Sequence, residues 1–337
     1  MKAWILEKQS DIEERPLKLV DMPAPVPDDK EVRVRIQACG LCRTDIHIAE
    51  GDLHLKKSPL ILGHEIVGKV DETGPGVKNL KKGDPVCISC LYSTCGRCEY
   101  CLGGKENYCP HFKGTGWDAN GGFAEHITIK EDFALSLKGI HMEPEDIAPL
   151  MCPGIAGYCA FKLTRLKRGH RLGLFGFGPT AYYVLKAARY LGVEVYVSTR
   201  SSNSKKQAEE NGAVWVGNVM EEEIPQSLDS AIVFPPAGAL VEPALRTVEI
   251  GGIVVLAPVS MSVIEIENYS DNLWGRDVRT LYNVNKAEAQ EFLEIAGKID
   301  LRMPRKVFSF DKLQEAMIKV KKGQIKEPNA VIKISSE

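Results

Sequence analysis

Residues 31–38 read EVRVRIQA, with polar and apolar side chains in alternation. A period of two puts one set of side chains on each face of a pleated strand, so this stretch predicts a half-buried strand. Residues 1–35 as a whole predict short strands separated by a Pro-rich loop, MPAPVPDD. Gly and Pro punctuate GPGVKNLKKGDPV over residues 74–86, a pattern of turns rather than helix. The first 150 residues therefore read as mostly β, rich in loops.

The pattern changes after about Met151. Residues 172–200, LGLFGFGPTAYYVLKAARYLGVEVYVSTR, predict a strand, a tight Gly turn, a helix and a second strand. Ala181, Val184, Leu185, Ala188 and Leu191 fall at helical spacing on one face. SAIVFPP and GGIVVLAPV are short apolar runs bounded by turn residues, as expected of parallel strands buried on both faces. KAEAQEFLEIAGKI and DKLQEAMIKVKKG carry helical patterns, and AVIKI reads as a closing strand. The fold class is α/β: a β-rich part followed by a doubly wound one, with no internal repeat.

Composition narrows the function. A length of 337 residues suits two domains, and 44% hydrophobic with 26% charged residues suits a soluble globular chain. A net charge of -2 predicts no nucleic-acid or anionic-membrane partner. No apolar run approaches the roughly 18 residues of a membrane span. The N-terminus, MKAWILEKQSDIEERP, lacks the apolar stretch of a signal peptide, so the expected location is the cytoplasm. Eight of the ten cysteines lie between Cys39 and Cys109. Clustered thiols in a reducing compartment predict metal binding rather than disulfides.

Gly176-Phe177-Gly178-Pro179-Thr180-Ala181 follows a predicted strand and opens a predicted helix, matching G-x-G-x-x-G/A in its meaningful context. Its glycines let backbone approach a pyrophosphate at a helix N-terminus, where free N–H groups and the dipole favour an anion. At the end of the next strand, where an acid commonly binds the ribose of NAD, stand Thr199 and Arg200. With no carboxylate to repel a 2′-phosphate and a guanidinium to bind it, NADP is favoured over NAD.

TCGRCEYCLGGKENYC places Cys95, Cys98, Cys101 and Cys109 within fifteen residues. An iron–sulfur run fits this spacing poorly, because the gap to Cys109 is neither short nor long. A zinc-ribbon binding module lacks the basic face it would need. The stretch is best read as a closed Cys₄ zinc site that staples a loop and admits no substrate. A catalytic zinc takes three protein ligands and keeps one position open. His64 in GHE (63–65), with one Cys from CGLCRTDIH (39–47) and one from MCPG (151–154), supplies such a set.

Taken together, GLCRTDIH, LGHEIVGKV, KKGDPV, CGRCEYCLGGKENYC, GGFAEH, the Cys152 loop, GFGPTA and KKGQIK resemble the zinc-dependent medium-chain alcohol dehydrogenases, in order and over essentially the whole length. The resemblance implies a GroES-like catalytic domain over 1–152 and 285–337 and a Rossmann domain over 153–284. It implies two zincs per chain. The catalytic ligand before [HRK]-[ST]-D is Cys42 and not Cys39, joined by His64 and Cys152, with Glu65 as an adjacent acid able to ligate transiently. Asp45 matches the carboxylate that orients the ligand histidine. Thr44 and His47 match a proton relay; an imidazole takes and gives protons near neutral pH. Arg43 and Lys326 match cations on the cofactor pyrophosphate. Leu53 and Cys90 stand where aromatic residues can line the substrate channel, so the pocket should be roomy; Ala156 stands where many members carry a hydroxyl. The implied reaction is reversible hydride transfer between a primary or secondary alcohol, or the matching aldehyde or ketone, and NAD(P), in a homodimer or homotetramer. Polyol dehydrogenases often place an acid at the third ligand, and zinc-free quinone reductases lack the trio, so Cys152 and its partners point to simple alcohols.

Overall fold

The structure, a computed structural model, describes residues 1–335. The chain forms two compact units. One comprises Met1–Cys152 and the chain from Val284 onward; the other is Pro153–Asn283.

The first unit is built on a seven-stranded sheet. Its centre is the strand Glu31–Leu41, longer than the 31–38 alternation alone indicated. Val32, Val34 and Ile36 are fully buried, so the alternation marks one dry face. Beyond Ala38 the alternation ends: Cys39, Gly40 and Leu41 are all buried, so both faces of the strand are covered there. Glu65–Thr73 runs antiparallel along one edge, with Gly40 opposite Glu65, and Asn329–Lys333 runs antiparallel along the other, with Ala330 opposite Leu41. The register decides where chemistry can sit. The central strand ends just before Cys42, and its neighbour begins just after His64, so two residues 22 positions apart emerge side by side from one end of the sheet.

A smaller three-stranded sheet, Leu17–Asp21, Lys2–Leu6 and Leu60–Ile61, delivers the chain to Gly63 and His64. The tail helices predicted from KAEAQEFLEIAGKI and DKLQEAMIKVKKG span Lys286–Ala296 and Leu313–Lys321.

The second unit holds a six-stranded parallel sheet. Its order is Trp215–Gly217, Glu194–Ser198, Arg171–Phe175, Leu228–Val233, Val248–Leu256, Asp277–Thr280. Numbered within the unit this is 3-2-1-4-5-6, the Rossmann arrangement. Its strands read as continuous apolar runs because both faces are covered: Leu172, Leu174, Ile232, Val233, Val254 and Val255 have no exposed surface. Ala181, Val184, Leu185 and Ala188 are buried on the helix Pro179–Tyr190. Leu191 departs from the expected stripe: it lies at the helix C-cap and is 37% exposed, because the chain leaves helical geometry there before turning at Gly192. No helix among the described residues is long and apolar enough to cross a membrane.

Candidate active site and metal centres

Asp45 organises the first site. Cys42 is the N-cap of the helix Arg43–Glu50, and Asp45 is its third residue. The Asp45 side chain has no exposed surface. One carboxylate oxygen accepts the Cys42 backbone N–H at 2.9 Å. The other accepts the Gly63 N–H at 3.1 Å and lies 3.0 Å from His64 Nδ1. A single buried carboxylate thus caps a helix, binds the turn before His64 and holds the proton on Nδ1, leaving Nε2 for a ligand. Gly63 has φ +96, and a side chain there would press on Cys39 Sγ and the Phe123 ring, so the turn that aims His64 needs glycine.

Cys42, His64, Glu65 and Cys152 each offer one donor atom, and the four atoms lie within 4.8 Å of one another. The Cys42 and Cys152 sulfurs are 4.0 Å apart, near the roughly 3.8 Å edge of a tetrahedron with Zn–S bonds of about 2.3 Å. Two thiols, an imidazole with its second nitrogen spoken for, and a carboxylate are the ligand chemistry of zinc, so these residues fit the ion. The electrostatics agree with a site built for a cation. A hydrogen bond from Cys152 and the nearby His64 hold the Cys42 thiol well below its ordinary value. That same hydrogen bond, together with burial, pushes the Cys152 thiol well up. Burial acts to lower the His64 imidazole, but the Asp45 carboxylate outweighs it and the group sits well above its usual value. Burial and the neighbouring Cys42 push the Glu65 carboxyl well up. Glu65 owes its place to Gly40 opposite it: a Cβ there would fall 1.8 Å from Glu65 Oε2. Cys39 takes no part; it is fully buried, its thiol pushed well up by burial.

The Thr44 hydroxyl lies 3.6 Å from the Cys42 sulfur. His47 is half exposed on the same helix, with Nδ1 2.7 Å from Asp52 Oδ2. Sequence reasoning missed Asp52; its only signal is an acid just past the helix-ending Gly51. Leu53 is half-buried beyond it, and its N–H bonds His47 O at 3.2 Å. Cys90 is half-buried, its thiol pushed up by burial with His64, Cys42 and Glu65 all close enough to act on it. The side chains of Arg43 and Lys326 are exposed.

At the second candidate metal site, Sγ–Sγ separations are 3.6 Å for Cys95–Cys109, 3.5 Å for Cys98–Cys101 and 3.9 Å for Cys95–Cys101. A disulfide needs about 2.05 Å. An iron–sulfur cluster, with several metal atoms between its thiolates, needs wider spacing. The observed values bracket the tetrahedral edge for a single zinc. Backbone N–H groups of Arg97 and Cys98 draw the Cys95 thiol down to about 6. The Cys109 sulfur accepts N–H groups from Cys95 at 3.5 Å and His111 at 3.4 Å. Cys98 goes the other way: although the Cys101 N–H acts to lower it, burial and hydrogen bonds with Cys101, Cys95 and Cys109 push its thiol up to about 11.

In the second unit Gly176 has φ +86, and a side chain there would strike Pro235 at 2.6 Å. Gly178 is the helix N-cap with no side-chain cap, and Pro179 is the first helical residue. Ala156 lies within the helix Pro153–Leu163. Thr180 and Ala181 follow in the first turn of the Pro179–Tyr190 helix, where backbone N–H groups lack intrahelical partners. Thr199 is buried, its N–H on Gly217 O at 2.8 Å, while Arg200 is exposed and its side chain makes no ion pair among the described residues. Ser201 caps the next helix, and Ser204 Oγ donates to Phe177 O at 3.0 Å, tying that helix to the Gly loop.

A nucleotide-type sheet in one unit and a zinc-type donor set in the other define an oxidoreductase class. Residues 28–139 match the alcohol dehydrogenase GroES-like domain family. A probable alcohol dehydrogenase AdhA of Mycobacterium tuberculosis is 37% identical over 331 residues, covering 96% of this chain and 95% of that one. An alcohol dehydrogenase of Geobacillus stearothermophilus is 32% identical, covering 92% and 93% respectively. Among solved structures, a cinnamyl alcohol dehydrogenase of Sorghum bicolor superposes with TM-score 0.85 at 25% identity, covering 100% of this chain and 98% of that one. The chain belongs to the zinc-dependent medium-chain alcohol dehydrogenase family.

Proposed function

We propose that this protein is a zinc alcohol dehydrogenase that interconverts medium-chain or aromatic alcohols and their aldehydes with NADP, through a roomy pocket. The observation that carries the reading is the convergence of donors from Cys42, His64, Glu65 and Cys152 within 4.8 Å, beside a hydroxyl and an exposed imidazole. Bound at these sites, zinc supplies Lewis acidity toward the substrate oxygen and the nicotinamide supplies the hydride acceptor. The chain's own residues do the rest. Cys42, His64 and Cys152 hold the catalytic ion, with Glu65 as an alternate ligand. Asp45 keeps the imidazole in the ligating tautomer. Thr44 takes the substrate proton and passes it on. His47, steered by Asp52, releases the proton to solvent. Cys95, Cys98, Cys101 and Cys109 hold a second, structural zinc. Gly176, Gly178, Pro179, Thr180 and Ala181 cradle the pyrophosphate, aided by Arg43 and Lys326; Arg200 beside Thr199 takes the 2′-phosphate.

Leu53 and Cys90 leave room for a bulky side chain, in line with a relative named for cinnamyl alcohol. The edge strand Asp277–Thr280 supports a homo-oligomer. Around it Ile250, Trp274, Val278 and Tyr282 are 77, 68, 39 and 56% exposed, and an open edge with large apolar residues calls for a second copy of the chain. Ten cysteines with no disulfide among them suit the reducing cytoplasm. The test is oxidation of a series from ethanol to hexanol and benzyl alcohol with NADP and with NAD, before and after Arg200→Ala. The expected result is rising kcat/KM along the series and a KM for NADP, far more than for NAD, that increases in the variant. A steep fall with chain length, or an unchanged NADP/NAD ratio, refutes the corresponding part.

A further inference from the structure

Residues 53–58 cross the first unit without regular structure, and His54, Lys56, Lys57 and Ser58 are exposed. Such a stretch should be loose, yet it is tied down at several points. Gln9 Nε2 donates to Leu53 O at 2.7 Å. The Trp117 indole N–H donates to His54 O at 2.9 Å. Lys56 Nζ sits 3.6 Å from the centre of the Trp117 ring and 3.0 Å from Asp118 Oδ1. Lys57 Nζ donates to Asn120 Oδ1 at 3.1 Å.

The loop that grips this stretch is itself anchored to the metal-binding segments. The Thr115 N–H bonds Cys90 O at 3.0 Å, and the Gly122 N–H bonds Gly63 O at 2.9 Å. A Cβ at Gly116 would fall 2.9 Å from Gly63 N, so the two backbones touch. Trp117 therefore projects from a loop held against the residues flanking His64 and reaches the backbone next to Leu53. A flat ring offers an N–H at its edge and a π-face to a cation at once, so one side chain makes two different grips.

We propose that Trp117, clasped by Lys56 and Asp118, is a positioning residue that sets the channel wall carrying Leu53 and thereby tunes how long an alcohol the enzyme favours. The inference rests on the reading above that Leu53 lines the substrate channel. Releasing the clasp lets the wall move, which costs contact with a long chain and little with ethanol. Trp117→Phe keeps the ring and removes the N–H; Lys56→Met keeps the stem and removes the cation; Leu53→Trp refills the channel directly. For each, kcat and KM are measured from ethanol to hexanol, with zinc content and melting temperature alongside. Loss of one ordinary hydrogen bond corresponds to about two- to tenfold in an equilibrium. Trp117→Phe is expected to lower the hexanol-to-ethanol ratio of kcat/KM by that amount, through KM for hexanol, with Lys56→Met acting in the same direction and zinc content at the wild-type level. If Leu53→Trp shifts the ratio while both clasp variants leave it within twofold, the clasp is only structural and the inference fails. If Leu53→Trp itself leaves the ratio unmoved, the channel assignment fails and takes the inference with it.

Discussion

Replacing Asp45 with Asn exchanges one heavy atom, a carboxylate oxygen for an amide nitrogen, in a fully buried position. The carboxylate receives three donors: the N–H groups of Cys42 and Gly63, and His64 Nδ1, at 2.9, 3.1 and 3.0 Å. An amide has one oxygen. If that oxygen faces Gly63 and His64, the amide NH₂ confronts the Cys42 N–H; turned over, it confronts the other two. At least one buried N–H loses its partner, at a cost of about 1–3 kcal/mol. The imidazole also loses the charge that polarises it, and such changes behind a metal ligand typically weaken binding about 10–100-fold, or about 1.4–2.8 kcal/mol. The two routes agree in size. Competition with a coloured chelator reads it directly: one zinc per chain should leave Asp45→Asn at about 10–100-fold lower chelator concentration, while the other leaves as in the wild type. Turnover should fall with the labile zinc and recover in part with added zinc. If both zincs leave at wild-type chelator concentration, within twofold, Asp45 does not hold His64 for a metal and the argument collapses.

The two metal centres should separate by readout: Cys98→Ser lowers the melting temperature and Cys152→Ser lowers kcat in a folded protein. A heat-stable, inactive Cys98→Ser variant would reverse the assignments. The pair of Arg33 with Asp71, 2.9 and 2.6 Å from the guanidinium nitrogens, gives a pH signature. Arg33 holds the Asp71 carboxyl below its ordinary value. A depressed folded pKa contributes stability that is present above the unfolded value near 4 and is lost as pH falls through the folded one. Asp71→Asn should therefore cost about 1 kcal/mol at pH 7, the partly exposed pair being discounted for screening, and progressively less by urea unfolding as pH is lowered below about 4. A cost that does not shrink as the carboxyl is titrated would rule out the ion pair as its source.

What could be seen from the chain alone depended on how local the cause was. The parallel strands of the second unit stood out because burial on both faces makes each one an apolar run, as at Ser230–Val233 within SAIVFPP. The strand containing EVRVRIQA was legible to Ala38 and not to Leu41, because alternation records one wet face and the last residues have none. Cys39 and Cys42 cannot be told apart by spacing. In the fold Cys39 lies inside the sheet while Cys42 begins a helix, and only the Cys42 sulfur joins the donor group. Gly40 and Asp52 were invisible for a related reason. One matters because register places Glu65 across from it, the other because a helix ends where it can reach His47. Trp117 likewise meets His54 across 63 residues of chain, a contact that no local pattern announces.

The antiparallel pairing of Ala330 with Leu41 has a consequence for biosynthesis. The nucleotide-type unit is one unbroken stretch, Pro153–Asn283, and can fold as soon as it clears the ribosome. The sheet that ends at Cys42 cannot: His126–Lys130 covers the Glu31–Arg35 part of that edge of its central strand, but the Ala38–Leu41 end must wait unpaired until Asn329–Lys333 is synthesised nearly three hundred residues later. All the candidate zinc ligands exist in the nascent chain long before the sheet behind them is closed. During that interval the thiols and the unpaired Ala38–Leu41 end are what quality-control factors would meet, so the last unit to mature is the one that holds both candidate metal sites.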